Sequence, residues 1–289
     1  MNVLLTGSSS GFGKLATLSL IEKGHTVVAS LRDAEGRNKP AADELAAAGA
    51  HIVEIDVTDD ASVNAGVSAA IEKVGGLDVV VNNAGFGILG LQESFTVEDW
   101  KRVFEINLFG VQRVNRAVIP HFRGKGGGLL IHISSLLGRM VFPFFGPYNA
   151  SKWALEALSD NYRVELSCFG IESCLIEPGG YSTAFMDKLG RPSDDARQAE
   201  LGEYASAGEA MMVNFEAALA SNPAQNPQDV ADAIVGLVET PAGQRPARTP
   251  VDKMGMGEHV AAYNEGYEQM LAGIYEAFEM SDMLNVKTP

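Results

Sequence analysis

Cysteine and positive charge are scarce in this sequence, and each shortage excludes a class of protein. Its 289 residues include only two cysteines, Cys168 and Cys174, and 22 basic residues against 37 acidic ones, a formal net charge of −15. Two cysteines without Cys or His partners at zinc spacing form neither a disulfide framework nor a zinc site. We expect both thiols to be buried, as free cysteines usually are, and no metal to be bound.

The chain also lacks clustered Lys and Arg and has no long apolar run. Nucleic-acid binding needs clustered basic residues, and so acidic a chain repels phosphate backbones and anionic lipid surfaces. The apolar run 3–5 begins too early to leave space for a secretory leader, and no stretch approaches the roughly 18–20 apolar residues of a membrane-spanning helix. We therefore expect a soluble, cytoplasmic protein without nucleic-acid or membrane partners. Most of the acidity lies late in the chain, with a net charge of −5 over 1–183 and −10 over 184–289.

Short runs rich in Val, Ile and Leu alternate with longer segments that have helical spacing. The runs are 3–5, 26–29, 51–55, 77–81, 129–133 and 173–176, and the helical segments are 14–23, 41–48, 61–74, 97–119 and 150–169. Continuous apolar strands are typical of a parallel sheet buried on both faces. The alternation predicts one α/β domain over 1–289, a doubly wound, Rossmann-like parallel sheet with helices on both faces.

The pattern changes after residue 176. Segment 184–226 mixes methionines with Gly, Pro and acidic residues, which indicates a helical insertion that forms a lid over a pocket. A helix follows over 227–240, then a loop over 241–250 that contains Pro and Arg. A last helix over 258–283 lies in a C-terminal extension, 251–289.

The first predicted strand runs directly into the sequence Thr6-Gly7-Ser8-Ser9-Ser10-Gly11-Phe12-Gly13, and a predicted helix follows. A glycine-rich turn between a strand and a helix lets backbone N–H groups and the helix N-terminus approach a pyrophosphate. Glycines are common in turns, so the strand before and the helix after are what favour a phosphate site.

Six motifs in a fixed order resemble the short-chain dehydrogenase/reductase family. The glycine turn 6–13 comes first, and it differs from the Gly-x-Gly-x-x-Gly spacing of most dinucleotide folds. The others are Asn82-Asn83-Ala84-Gly85, Asn107 within 105–110, Ser135, the pair Tyr148 and Lys152 in Tyr-Asn-Ala-Ser-Lys, and Pro178-Gly179 with Thr183. The resemblance covers about the first 240 residues.

The Tyr148 and Lys152 pair has a chemical rationale of its own. Hydride transfer to or from a carbonyl carbon needs an acid/base at the oxygen, and the reference pKa of tyrosine, about 10, is too high for a base at neutral pH. Lys152 lies four residues further along one helix face, where its cation favours phenolate. The resemblance implies that Lys152 also binds the nicotinamide ribose, that Ser135 binds the substrate oxygen, and that Asn107 holds a proton-relay water.

The end of the second strand bears on the choice of cofactor. Leu31 stands where NAD-preferring members of the family carry aspartate, and Arg32 follows, which favours pairing with a 2′-phosphate. We expect NADP(H), with NAD(H) as second choice. Arg32 could instead be a solvated loop cation, and Asp56 could cap the following helix. The expected cofactor-binding residues are Gly7, Ser9, Ser10, Gly11, Phe12, Gly13, Arg32, Asp56, Val57, Asn83, Ala84, Gly85, Tyr148, Lys152, Pro178, Gly179 and Thr183.

Apolar residues are dense on both sides of Tyr148, which favours a hydrophobic ketone, aldehyde or alcohol as substrate. Each of them taken singly could equally be a core residue. The expected substrate residues are Ser135, Leu137, Phe142, Tyr148, Tyr181 and Phe185.

Two classes of function remain open. The first is an NADP(H)-dependent oxidoreductase with Asn107, Ser135, Tyr148 and Lys152 as its catalytic residues. The alternative is a dinucleotide-binding sensor or scaffold without turnover, since a fold does not fix a function. Sugar-nucleotide epimerases share Tyr-x-x-x-Lys, but the glycine spacing resembles the shorter dehydrogenase branch. The resemblance also implies a homodimer or homotetramer through 97–119 and 150–169.

Overall fold

The computed structural model describes residues 1–287, and its central feature is a seven-stranded parallel sheet in the order β3-β2-β1-β4-β5-β6-β7. The strands are β1 (Asn2–Thr6), β2 (Thr26–Leu31), β3 (His51–Glu54), β4 (Val79–Asn82), β5 (Gly128–Ile133), β6 (Ile171–Pro178) and β7 (Arg248–Val251). The strand order reverses between β1 and β4, and ligands of such sheets bind at the carboxyl edge beside this point. The predicted doubly wound sheet is confirmed.

Helices cover both faces of the sheet. They are α1 (Gly11–Glu22), α2 (Lys39–Ala47), α3 (Asp60–Val74), α4 (Val97–Phe104), α5 (Val111–Lys125), α6 (Gly146–Leu166), α7 (Asp195–Glu200), α8 (Ala207–Ala220), α9 (Gln228–Glu239) and α10 (Gly257–Ala277). Helices α1 and α9 pack on one face, and α3 and α5 pack on the other. A π-helical segment, Glu105–Gly110, joins α4 to α5 where a continuous helix was predicted.

Strand β7 corrects the prediction of a loop over 241–250. It pairs with the end of β6, from Leu175 against Arg248 to Pro178 against Val251. Arg248 and Pro250 are poor strand formers, but an edge strand tolerates proline, and ion pairs described below compensate the burial of Arg248. The prediction of two buried cysteines is wrong for Cys168, which is exposed, and right for Cys174.

Segment 184–226 is helical, as predicted, and is anchored to the rest of the chain at Asp99 on α4. The Asp99 carboxylate accepts hydrogen bonds from the Ser193 backbone N–H at 3.0 Å and the Ser193 hydroxyl at 2.9 Å. The Gly190 carbonyl oxygen also accepts a hydrogen bond from the Leu89 backbone N–H at 3.0 Å. These contacts fix the insertion near the carboxyl ends of the strands. Among residues 1–287 no helix is long and apolar enough to cross a membrane.

Phe122 on α5 tests the packing of the sheet. Its side chain is fully buried and lies directly against Gly128 at the start of β5. We expect Phe122→Ala to lower the free energy of unfolding by about 3–5 kcal/mol, because it leaves a cavity in the core. Phe278→Ala, at a side chain that is 72% exposed, should change it by less than about 0.5 kcal/mol. Urea denaturation of the two variants makes the comparison, and equal losses would contradict this assignment of the core.

Candidate active site

The glycine-rich turn leaves no space for side chains at two of its glycines. Gly7 has a φ of +71°, and a Cβ on Gly7 would lie 2.9 Å from the Ala84 Cα. A Cβ on Gly13 would lie 2.4 Å from the Gly7 carbonyl oxygen and 2.5 Å from the Asn83 Nδ2. The turn therefore brings bare backbone to the start of α1, the arrangement that a phosphate cradle needs.

Asn83, directly after β4, holds this turn in place. Its Nδ2 donates hydrogen bonds to the carbonyl oxygens of Thr6 at 2.9 Å and Gly7 at 3.1 Å. The Thr6 hydroxyl in turn accepts from the backbone N–H groups of Asn83 at 3.0 Å and Ala84 at 3.1 Å. The second and the first of the sequence motifs thus form one hydrogen-bonded unit.

A cavity of about 820 Å³ follows the carboxyl edge of the sheet and contains nearly all of the predicted site. Every expected cofactor residue except Gly13 lines it, as does every expected substrate residue. Gly13 and the predicted catalytic residue Asn107 do not line it. The cavity extends from Arg32 and Asp56 at one end to an apolar chamber around Tyr148 at the other.

Tyr148 and Lys152 lie one turn apart on α6 and face the cavity together. The Lys152 Nζ donates a hydrogen bond to the Ile133 carbonyl oxygen at 2.8 Å and lies 5.6 Å from the centre of the Tyr148 ring. Burial lowers the pKa of Lys152 to about 8, although the charge of Glu156 opposes this shift. Burial raises the pKa of Tyr148 to about 12, opposed by the Ser135 hydroxyl. At neutral pH the pair is therefore a phenol beside an ammonium.

Ser135 lies at the end of β5, where its hydroxyl accepts a hydrogen bond from the Leu137 N–H at 3.1 Å and donates a long one, 3.4 Å, to the Pro178 carbonyl oxygen. These contacts orient the hydroxyl at the cavity wall beside Tyr148.

Asn107 has its side chain committed to protein groups. In the π-helical segment, its Nδ2 donates to the Phe86 carbonyl oxygen at 2.9 Å and to the Ser151 hydroxyl at 3.0 Å, and its Oδ1 accepts from the Phe86 N–H at 2.8 Å. Both amide hydrogens are therefore in use. Asn107 holds the loop after β4 against α6, and its proton-relay role stays a prediction.

The end of the cavity beside β2 carries more positive charge than was expected. Arg32 is half exposed, with its guanidinium 3.8 Å from the Asp56 carboxylate, and Arg37 lines the same end. The Arg37 backbone N–H donates to the Asp33 carboxylate at 2.9 Å, but within residues 1–287 its guanidinium forms no ion pair with a carboxylate. Sequence reasoning missed Arg37 because it lies in the irregular segment between β2 and α2, outside every motif.

Asp56 does not cap helix α3, one of the two roles left open for it. Asp59 is the cap, since its carboxylate accepts from the Ser62 N–H at 2.6 Å. The Asp56 carboxylate accepts instead from the Thr58 N–H and hydroxyl. Burial alone would raise the pKa of Asp56, but these hydrogen bonds and the charge of Arg32 hold it below its usual value.

Lys188 is a second residue that sequence reasoning missed. It ends a short helical turn of the insertion, lines the cavity, and its Nζ lies 3.5 Å from the Ser10 hydroxyl. The insertion therefore places one cation above the glycine-rich turn.

Aromatic and methionine side chains form the apolar chamber at the other end. Helix α8 of the insertion contributes Met212 and Phe215, and the Phe185 ring lies 5.8 Å from that of Tyr148. Tyr181 is only partly a wall residue, because it is 3% exposed and its hydroxyl donates to the Val251 carbonyl oxygen at 3.1 Å. Within residues 1–287 no three His, Cys, Asp or Glu side chains converge as a metal site.

A family model described as short chain dehydrogenase matches residues 1–194. The chain belongs to the short-chain dehydrogenase family. Among curated relatives, it is 38% identical to 3-ketodihydrosphingosine reductase of Bacteroides thetaiotaomicron over 64% of this chain and 65% of that protein. It is 35% identical to human 17-beta-hydroxysteroid dehydrogenase type 1 over 83% of this chain and 74% of that protein. It is 32% identical to human retinol dehydrogenase 8 over 82% of this chain and 78% of that protein.

Solved structures of this short-chain dehydrogenase family share the fold over most of the chain. A short-chain dehydrogenase from Burkholderia phymatum in complex with NAD superposes with a TM-score of 0.75 at 26% identity, covering 93% of this chain and 94% of that one. A variant of actinorhodin polyketide ketoreductase with NADPH superposes with a TM-score of 0.74 at 28% identity, covering 89% of this chain and 97% of that one. The protein is thus an oxidoreductase of a fold that takes a nicotinamide dinucleotide.

Gly13 provides a test of the phosphate cradle. We expect Gly13→Ala to weaken NADPH binding by about tenfold or more, because its Cβ cannot be placed without moving the Gly7 carbonyl. Gly124→Ala is the control, since its new Cβ would have no atom within 4 Å apart from its chain neighbours and the local helix backbone. Titration of NADPH fluorescence against each variant measures the dissociation constants. Wild-type affinity in Gly13→Ala would show that the turn does not hold the dinucleotide.

Proposed function

We propose that the protein is an NADP(H)-dependent oxidoreductase that interconverts a hydrophobic ketone or aldehyde and its alcohol. The observation that carries this proposal is the position of Tyr148 and Lys152. Both face one continuous cavity, with the glycine-rich turn on one side and the apolar chamber on the other. A site that only bound a dinucleotide would need neither a tyrosine at that point nor a second chamber.

The residues present fit a phosphorylated dinucleotide. Four cations line the cavity, namely Arg32, Arg37, Lys152 and Lys188, against one carboxylate, Asp56. Arg32 and Arg37 would pair with a 2′-phosphate on the adenosine, and the glycine-rich turn with Lys188 would hold the pyrophosphate. When bound, the nicotinamide supplies or accepts the hydride.

The chain's own residues perform the proton chemistry. In reduction, the Tyr148 phenol donates its proton to the substrate oxygen as negative charge develops there, and the Ser135 hydroxyl stabilises that oxygen. Lys152 remains charged below its pKa of about 8, so its ammonium stabilises the phenolate that is left. Burial keeps Tyr148 protonated at neutral pH, which is the state in which it acts as the acid for reduction.

The apolar chamber supports a lipophilic substrate. The names of the three relatives refer to a ketodihydrosphingosine, a hydroxysteroid and a retinol. All three molecules are large and lipophilic, with a carbonyl or hydroxyl group for hydride transfer. Phe142, Phe145, Phe185, Met212 and Phe215 would enclose such a body, leaving its oxygen at Tyr148.

Tyr148→Phe tests catalysis separately from binding. With NADPH and a panel of 3-ketodihydrosphingosine, retinaldehyde and a 17-ketosteroid, we expect wild-type turnover of at least one compound. Tyr148→Phe should lose at least about 100-fold in kcat while it still binds NADPH, because the variant loses the acid and keeps the rest of the cofactor site. Tyr204→Phe, at a ring that is 61% exposed, is the control. Tight NADPH binding without any wild-type turnover would favour the sensor or scaffold alternative instead.

The cations that line the cavity should differ in which cofactor they help to bind. We expect Arg32→Ala and Arg37→Ala each to weaken NADPH binding by about tenfold and to leave NADH binding unchanged, because NADH lacks the 2′-phosphate. Lys188→Ala should weaken both cofactors by the same factor, because both carry the pyrophosphate. Arg191→Ala is the matched control in the insertion, since Arg191 pairs with Glu209 and does not line the cavity. Equal losses for NADPH and NADH in Arg32→Ala and Arg37→Ala would remove the basis for NADP(H) preference.

A further inference from the structure

Behind the active site lies a group of five charged side chains that do not line the cavity. This ionic cluster consists of Arg139, Glu156, Asp160, Glu177 and Arg248. Four of them are at most 5% exposed, and Asp160 is 18% exposed. Buried charge is costly unless it is paired, so a cluster of this size needs a reason.

Glu156 is the centre of the cluster. Its Oε2 accepts a hydrogen bond from the Arg248 Nε at 3.0 Å and lies 3.0 Å from the Arg139 Nη2. The Arg248 Nη2 also donates to both oxygens of Asp160 at 2.6 Å. Glu177 lies further away, with its Oε1 3.5 Å from the Arg139 Nε and 3.8 Å from the Arg248 Nε.

Three members of the cluster are close in sequence to active-site residues. Glu156 follows Lys152 by four residues on α6, so it continues the helix face that carries Tyr148 and Lys152. Arg139 follows Ser135 by four residues, and Glu177 directly precedes Pro178. A Cβ on Gly138 would lie 3.0 Å from the Glu156 Cγ, so Glu156 packs directly against the turn after Ser135.

The remaining contacts come from the C-terminal part of the chain. Arg248 belongs to β7, and helix α10 covers the cluster with the ring of Tyr267, 4.8 Å from the Arg139 guanidinium and 5.2 Å from that of Arg248. The Tyr267 hydroxyl donates to Asp160 at 2.9 Å, and the Asn264 Nδ2 donates to the Glu177 Oε2 at 2.7 Å. β7 and α10 are therefore connected to α6 through charge.

We propose that Glu156 and Arg248 are positioning residues, which act through Lys152 to control the protonation of the Tyr148 and Lys152 pair and so make β7 and α10 part of the active site. This proposal rests on the proposed function for its kinetic consequence, and its effect on Lys152 can be measured without turnover.

The charges around Glu156 determine whether the cluster raises or lowers the pKa of Lys152. Burial and the Glu156 charge raise the pKa of Glu177 to about 8, so Glu177 holds its proton at neutral pH. Glu156 and Asp160 then balance Arg139 and Arg248. Burial raises the pKa of Glu156, but the two guanidinium groups at 3.0 Å oppose this shift and favour the carboxylate.

The other titratable groups nearby are neutral or peripheral. Burial lowers the pKa of His132, on β5, to about 3, and Tyr267 is a neutral phenol because burial raises its pKa to about 12. The ring of Tyr263 lies 5.9 Å from the Arg139 guanidinium. Glu268 is 44% exposed and lies 3.7 Å from Arg248 at the solvent side. Glu156 is thus the negative charge that bears most directly on Lys152.

The test removes one charge of each sign. A lost negative charge makes every nearby proton easier to remove, and a lost positive charge makes it harder. In Glu156→Gln we expect the alkaline limb of the pH profile for ketone reduction to move to lower pH, and in Arg248→Met to higher pH, each by about half a pH unit or more. The KM for NADPH should stay unchanged, because neither residue lines the cavity.

A second readout does not require a substrate. Competitive acetylation with acetic anhydride labels each amine in proportion to its unprotonated fraction, and mass spectrometry of the Lys152 peptide across pH gives its titration. We expect opposite displacements of this titration in Glu156→Gln and Arg248→Met. Arg245→Met is the matched control, because Arg245 and Glu172 form another buried ion pair at the opposite end of β6.

The outcomes separate the two proposals. Opposite displacements of the Lys152 titration without turnover of any ketone would support the positioning role and reject the proposed function. Displacements of the same sign, none at all, or an equal displacement in Arg245→Met would overturn the positioning role. If a buried unpaired charge unfolds either variant, Asp160→Asn at the edge of the cluster is tested instead. We expect it to move the Lys152 titration to lower pH by a smaller amount. The absence of that shift would overturn the proposal.

Discussion

The burial of the Lys152 ammonium is the constraint on which the rest of the site depends. A cation removed from water must be compensated locally, and here the Ile133 carbonyl oxygen, the Tyr148 ring and the charge of Glu156 supply the compensation. Each of these groups requires a particular element to lie close by. Strand β5 must end beside α6, and α6 must carry its charged residues at intervals of one turn. The residues that keep the buried lysine charged are therefore also those that fix the position of the helix.

The sheet could be predicted from the sequence because its strands are buried on both faces and consist of apolar runs. Six of the seven strands follow from such runs, including 26–29 for β2 and 129–133 for β5. Strand β7 has no such run. Arg248 is buried there only because Glu156 and Asp160, about ninety residues earlier, meet its guanidinium. Local sequence contains no sign of that partnership, so a strand with an arginine and a proline resembles a loop.

The same distinction holds within the site. Motif residues such as Ser135, Tyr148 and Lys152 could be placed together because their spacing puts them at the ends of adjacent strands and on one helix face. Arg37 and Lys188 could not, since they lie in irregular segments whose paths depend on tertiary contacts. For Lys188, one such contact is the anchor of the insertion at Asp99, which accepts from Ser193. Asn107 was identified from its motif, but the hydrogen bonds that its side-chain amide forms with the Phe86 backbone depend on the exact path of that loop.

Charge distribution reconciles an acidic chain with an anionic cofactor. Of the acidic residues over 184–287, none lines the cavity, whereas Lys188 from the same segment does. The insertion thus directs its carboxylates to solvent and a single cation to the glycine-rich turn. Arg32 and Arg37 add positive charge at the far end, where Asp56 is already occupied by Thr58. Since screening limits the reach of solvent-exposed charges to roughly 10 Å, a small anion inside the cavity meets mainly these local cations, while a polyanion at the surface meets the net charge of −15.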